Sequence, residues 1–92
     1  MQFHLSGELD LGSAPHLNAR LKEYVAESGS DVVVDAKELS FVDISGCRVL
    51  VDTAKRLPTG RRLVLVHAPS FLVRLLSLCG WLDSPGLVVA PR

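Results

Sequence analysis

The chain has 92 residues, 48% of them hydrophobic, with ten basic and ten acidic side chains and a formal net charge of zero. That length allows one small domain spanning residues 1–92 with a single core, and the hydrophobic content excludes a disordered chain. The balanced charge gives no electrostatic pull toward nucleic acid or anionic lipid.

Met1-Gln2-Phe3-His4 has neither the basic nor the apolar region of a signal peptide. The longest apolar stretch, Phe71 to Cys79, is interrupted by Arg74 and is far shorter than the ~20 residues of a membrane span. These features predict a cytoplasmic protein with no membrane insertion. From Met1 to Leu5, Phe3 and Leu5 alternate onto one face, a strand signal, and Ser6-Gly7 reads as a turn. Ser13-Ala14-Pro15 then carries a helix start, a capping serine with proline in the first turn. Leu17, Leu21 and Tyr24 or Val25 recur at helical spacing, which predicts an amphipathic helix from Pro15 to about Ser28.

Val32-Val33-Val34, closed by Asp35, has the composition of a strand buried on both faces, as in parallel sheets. Leu39, Phe41, Val42 and Ile44 lead into Asp43-Ile44-Ser45-Gly46, where Ser45 stands at the expected N-cap of a second helix. Val49, Leu50, Thr53, Ala54 and Leu57 carry that helix, and Pro58-Thr59-Gly60 turns the chain. Leu63 to Val66 reads as another strand buried on both faces. Pro69-Ser70 opens a third helix with Leu72, Leu75, Leu76 and Cys79 inward, Gly80 stops it, and Leu87-Val88-Val89 forms a final strand. The β-α-β-α-β-α-β order implies an α/β fold, a four-stranded, mostly parallel sheet with three amphipathic helices packed on it.

In such sheets ligands and partners gather at the carboxyl edge, which should collect Asp10 to Ser13, Asp43 to Gly46 and His67 to Pro69. A hydrolase built on Ser45 is disfavoured, because a nucleophile elbow needs glycine two residues before the serine and Asp43 is there instead. That carboxylate would oppose a developing oxyanion. Gly46 has no partner glycine or lysine at phosphate-loop spacing. The Lys55, Arg56, Arg61, Arg62 cluster reads as a solvated turn at a helix C-terminus. His4, His16 and His67 form no metal-binding pattern, and no cofactor is implied. Trp81 reads as a packing anchor just past a helix end. Cys47 and Cys79 should stay unlinked, being placed at opposite edges of the sheet. On residue chemistry alone Ser45 remains a helix cap or a phosphorylation switch.

The ordered set Gly7-Glu8-Leu9-Asp10, Ala14-Pro15, Val33-Val34-Asp35, Phe41-Val42-Asp43-Ile44-Ser45-Gly46, Pro69-Ser70 and Cys79-Gly80 resembles the STAS domain, and within it the bacterial anti-sigma factor antagonists. The resemblance covers nearly the whole chain. It implies partner switching in transcription regulation, with no catalytic residue. The unmodified protein captures an anti-sigma factor that is also a serine kinase, phosphorylation of Ser45 releases it, and a phosphatase restores it. Asp10, Asp43, Ile44, Ser45, Gly46 and Arg48 are the implied partner-binding positions, with Asp10 beside the phosphosite. An alternative role for such domains is as a cytoplasmic subunit regulating the ATPase of a lipid-transport ABC system. Many relatives have serine or threonine where this chain has Ile44. Relatives also carry a further strand before the Gly-Glu-Leu-Asp segment, here shortened or missing, which would leave Met1 to Leu5 as a free sheet edge able to pair in a homodimer.

Overall fold

Among residues 2–91, which the computed structural model describes, four strands alternate with three helices. The strands are β1 (Phe3–Leu9), β2 (Val32–Val42), β3 (Leu63–Val66) and β4 (Leu87–Val89). The helices are α1 (Ala14–Glu27), α2 (Ile44–Arg56) and α3 (Ser70–Leu78). The sheet order is β1-β2-β3-β4, and every neighbouring pair is parallel.

A sequential order joined by right-handed crossovers puts every helix on the same face of the sheet. Leu17 and Leu21 of α1, Cys47, Leu50 and Ala54 of α2, and Leu72 and Leu76 of α3 share one core with Phe3, Leu5, Val32, Val34, Leu63 and Leu65. Among the described residues no helix covers the opposite face. There Val33, Val64 and Val88 lie side by side in register and are only half-buried, as is Val66. The expectation of strands buried on both faces is therefore corrected for β2 and β3. A short run of valines cannot distinguish a doubly covered strand from one with a partly wet face.

The expected turn at Ser6-Gly7 is also corrected. β1 runs through it to Leu9, and its register against β2 shifts between His4 and Ser6 and again between Gly7 and Glu8. Gly7, with φ 72°, absorbs the irregularity in a conformation that suits glycine. β1 has a neighbour on one side only and so forms the expected edge; Met1 lies outside the described residues. At the other side of the chain's first crossover, Phe3 meets Tyr24 edge-on at 5.5 Å and Arg20 covers the Phe3 ring at 5.1 Å, so α1 is anchored on β1.

β2 is the long strand. Its last pair with β3 is Asp35 with Val66, yet it continues to Val42 paired only with β1. The chain therefore leaves β3 part-way along β2, and α3 begins at that level. Its end follows a Schellman pattern, with the Gly80 N–H donating to Ser77 O at 3.0 Å and the Trp81 N–H to Leu76 O at 2.8 Å. This end lies beside the first two turns of α2, and the Arg48 guanidinium sits 5.6 Å from the centre of the Trp81 ring. Cys79 is thus near Cys47 and not at the opposite edge, correcting the placement from the sequence. Both cysteines are free.

One-sided cover of the sheet separates two adjacent valines. Val34→Thr, at a fully buried position, should cost about 1–3 kcal/mol by placing a hydroxyl in the core. Val33→Thr, on the open face, should cost under about 1 kcal/mol. Urea denaturation of the two variants measures the difference.

Candidate functional site

The chain ends of β1 and β2 meet the start of α2 at Asp43. Its extended backbone places it at the N-cap, and its Oδ1 accepts the Gly46 N–H at 3.2 Å. Its Oδ2 accepts the Leu11 N–H at 3.2 Å, and its own N–H donates to Leu9 O at 2.9 Å. One residue therefore ties together both strand ends, the loop after β1 and the helix.

This arrangement corrects the expectation that Ser45 is the cap. Ser45 is the second residue of α2, and the donor a capping serine would take is already held by Asp43. Among the described residues the Ser45 hydroxyl has no hydrogen-bond partner, and it is half-buried. It is held in place by the helix and is free to react or bind.

Gly46 is needed for space. A Cβ there would stand 3.0 Å from both Leu9 Cβ and Val42 Cγ2, and 3.1 Å from Leu9 O. The first turn of α2 packs this closely on the ends of β1 and β2 because no side chain intervenes. Asp10 lies on the same loop as Leu11, but its carboxylate faces α1. Its Oδ1 accepts the Ser13 N–H at 3.0 Å, and Ser13 Oγ in turn accepts the Asp10 N–H at 2.9 Å. Ser13, expected to cap α1, makes no side-chain cap bond and instead closes this reciprocal turn.

Between α1 and α2 runs a cleft of about 580 Å³, with Leu11, Pro15, Ile44, Ser45 and Arg48 among its lining residues. Asn18 and Arg56, also in its lining, bridge the two helices with a 3.2 Å hydrogen bond. Leu11 is 74% exposed, Ile44 51% and Phe41, two residues before the cap, 47%. Leu11 and Ile44, large and exposed in the same cleft as Ser45, mark a surface suited to another protein better than to a small substrate. Leu11 was not singled out from the sequence; the signal was an apolar residue between Asp10 and Gly12, in a turn with no helix or strand to bury it.

His67 to Pro69 are not brought to this site. They follow β3, which ends beside Asp35, whereas Ser45 follows Val42. His4 pairs with Asp35 at 3.7 Å on the open side of the sheet, and His16 is exposed on α1. Among the described residues no three His, Cys, Asp or Glu side chains converge to hold a metal. Burial, with Cys79 and then Asp43 adding to it, pushes the Cys47 thiol up to about 12, so it stays protonated at neutral pH and cannot act as a thiolate nucleophile. No helix among the described residues is long and apolar enough to cross a membrane.

Comparison with known proteins agrees with this geometry. The family model described as the STAS domain matches residues 1–90. Over 84 residues the chain is 34% identical to the anti-sigma-B factor antagonist of Bacillus subtilis (strain 168), covering 90% of this chain and 76% of that protein.

Two substitutions test the clasp at the start of α2. Asp43→Ala should destabilise the domain by about 0.5–2 kcal/mol through loss of the cap. Gly46→Ala should cost about 1–3 kcal/mol through overpacking against Leu9 and Val42. Both are read from urea midpoints. Thiol labelling at pH 8 should modify half-buried Cys79 first and Cys47 only as the domain opens.

Proposed function

The chain belongs to the STAS domain family, and from that premise we propose that it is an anti-sigma factor antagonist that works in the cytoplasm by partner switching. Unmodified, it captures an anti-sigma factor and so frees a sigma factor for transcription. The captured partner is also a kinase. It transfers the γ-phosphoryl group of ATP to Ser45 Oγ, which loses its proton, and ADP is released. The modified protein then lets the partner go, and a phosphatase hydrolyses the phosphoester to reset it. The chain itself performs no catalysis and needs no cofactor.

The observation that carries this reading is the free Ser45 hydroxyl, placed on α2 in a cleft that exposed Leu11 and Ile44 also line. Asp43 does the capping, so Ser45 can be modified without removing a bond the fold uses. Ile44 offers no second hydroxyl, leaving Ser45 as the acceptor of the tetrad. Apolar groups supply contact area for capture, and a serine among them places any added charge inside the contact.

The release step follows from electrostatics. Phosphorylation adds about −1.5 to −2 charges. Asp43 already holds a carboxylate two residues away, and Asp10 holds another on the neighbouring loop. Further negative charge must be desolvated when a partner closes over it, and each ~1.4 kcal/mol of that cost weakens binding tenfold. Two or three such steps make a switch with no change of fold. The free side of β1 offers a place for a second copy to add as a strand.

Incubation with the cognate kinase and ATP should add one phosphate to the wild type and none to Ser45→Ala, measured by intact mass. A Ser45→Ala protein that is still phosphorylated would overturn the assignment. Ser45→Asp should weaken capture at least about tenfold by calorimetry, while Ser45→Ala should keep capture and change stability by less than about 0.5 kcal/mol.

A further inference from the structure

Arg48 stands three residues after Ser45 on α2, and both line the cleft between α1 and α2. Side chains three apart on a helix are surface neighbours, and each Cα–Cβ bond tilts toward the helix N-terminus. The Arg48 side chain is therefore biased back over the turn that carries Ser45. Its guanidinium is exposed and, among the described residues, has no ion-pair partner. What it has is an aromatic surface, the ring of Trp81, 5.6 Å away just past the end of α3.

A cation resting on a ring within reach of a phosphoacceptor has two alternative partners. While Ser45 is unmodified there is no anion on it to compete, and Trp81 holds the guanidinium. A phosphoserine would bring three acceptor oxygens and about two negative charges onto the same helical surface. A charge-assisted, forked guanidinium–phosphate contact is stronger than a cation–ring contact at an exposed site. Asp43 cannot compensate the phosphate, because it is an anion itself and its oxygens accept the Gly46 and Leu11 N–H groups.

We propose that Arg48 is the internal receiver of the phosphate on Ser45: on phosphorylation its guanidinium leaves the Trp81 ring and closes on the phosphate. This rests on Ser45 being the modified residue. It adds that the modification is read within the protein, since the same movement uncovers Trp81 at the junction of α2 and α3. The chemical event in the cleft is thereby reported on a second part of the surface. Arg48 is a positioning residue here, and no bond is made or broken by it.

The test uses the full chain with phosphoserine installed at position 45 by joining two synthetic peptides at Cys47, so that no kinase is needed. In the unmodified protein the Arg48 side-chain protons should be shifted upfield by the Trp81 ring, and in the phosphorylated protein they should return toward ordinary positions. The phosphate, followed by ³¹P resonance, should titrate at least about 0.5 pH unit lower in the wild type than in Arg48→Gln. Arg48→Lys, which keeps the charge and loses the fork, should fall between the two. The exposed position of Arg48 lets both variants keep the fold. Equal ³¹P midpoints in wild type and Arg48→Gln, or an upfield shift that survives phosphorylation, would overturn the proposal. Absence of enzymatic phosphorylation at Ser45 would instead count against the antagonist reading, and the spectra of the synthetic phosphoprotein are independent of it.

Discussion

The position of the site depends on a single carboxylate. Asp43 uses one oxygen for the first turn of α2 and the other for the loop after β1, while its own amide is bonded to the last residue of β1. The bonds to Leu9 and Leu11 join segments far apart in sequence and the one to Gly46 is local, so this residue converts two strand ends and a helix start into one rigid corner. Gly46 completes it by letting the helix approach the strands to the limit of contact. With the corner built this way, the serine between them has no structural duty. A hydroxyl that is both fixed in space and unused is what a modifying enzyme requires of an acceptor.

The one-sided packing of the sheet gives this corner its surroundings. All three helices lie on one face, so adjacent helices must form a groove between them, and α1 and α2 form theirs where Ser45 opens. Three large apolar side chains near the ends of these elements are exposed among the described residues. Leu11 sits in a turn, Phe41 at the end of a strand and Ile44 on the first, outward position of a helix. Their exposure is a consequence of local geometry, and it provides the apolar area that protein association draws upon.

Much of this architecture was legible from residues alone. The three helices announce themselves through 3.6-residue spacing, and Gly80 stops α3 by the mechanism its position suggested. What was hidden depended on tertiary geometry or on competition between similar groups. Ser13 and Ser45 both look like caps in the sequence, yet Asp10 and Asp43, a few residues earlier, have carboxylates able to reach the same kind of backbone donor. Gly7 looks like a turn, but a glycine inside a strand also serves a register shift. The proximity of Cys47 and Cys79 follows from where α3 starts, which depends on β2 outrunning β3. No local pattern encodes that difference in strand length. Of the site, the motif and the Asp10 loop were visible; the Arg48–Trp81 contact and the exposure of Leu11 were not.

The division of labour within Asp43-Ile44-Ser45-Gly46 also bears on how such a domain can change over descent. Asp43 and Gly46 are under constraint from the fold, because replacing either disturbs the corner. Ser45 makes no such bond. The serine can therefore be replaced with little cost to folding, leaving a scaffold with an intact aspartate and glycine. In this architecture, loss of the Ser45 hydroxyl and loss of the structure are separate events.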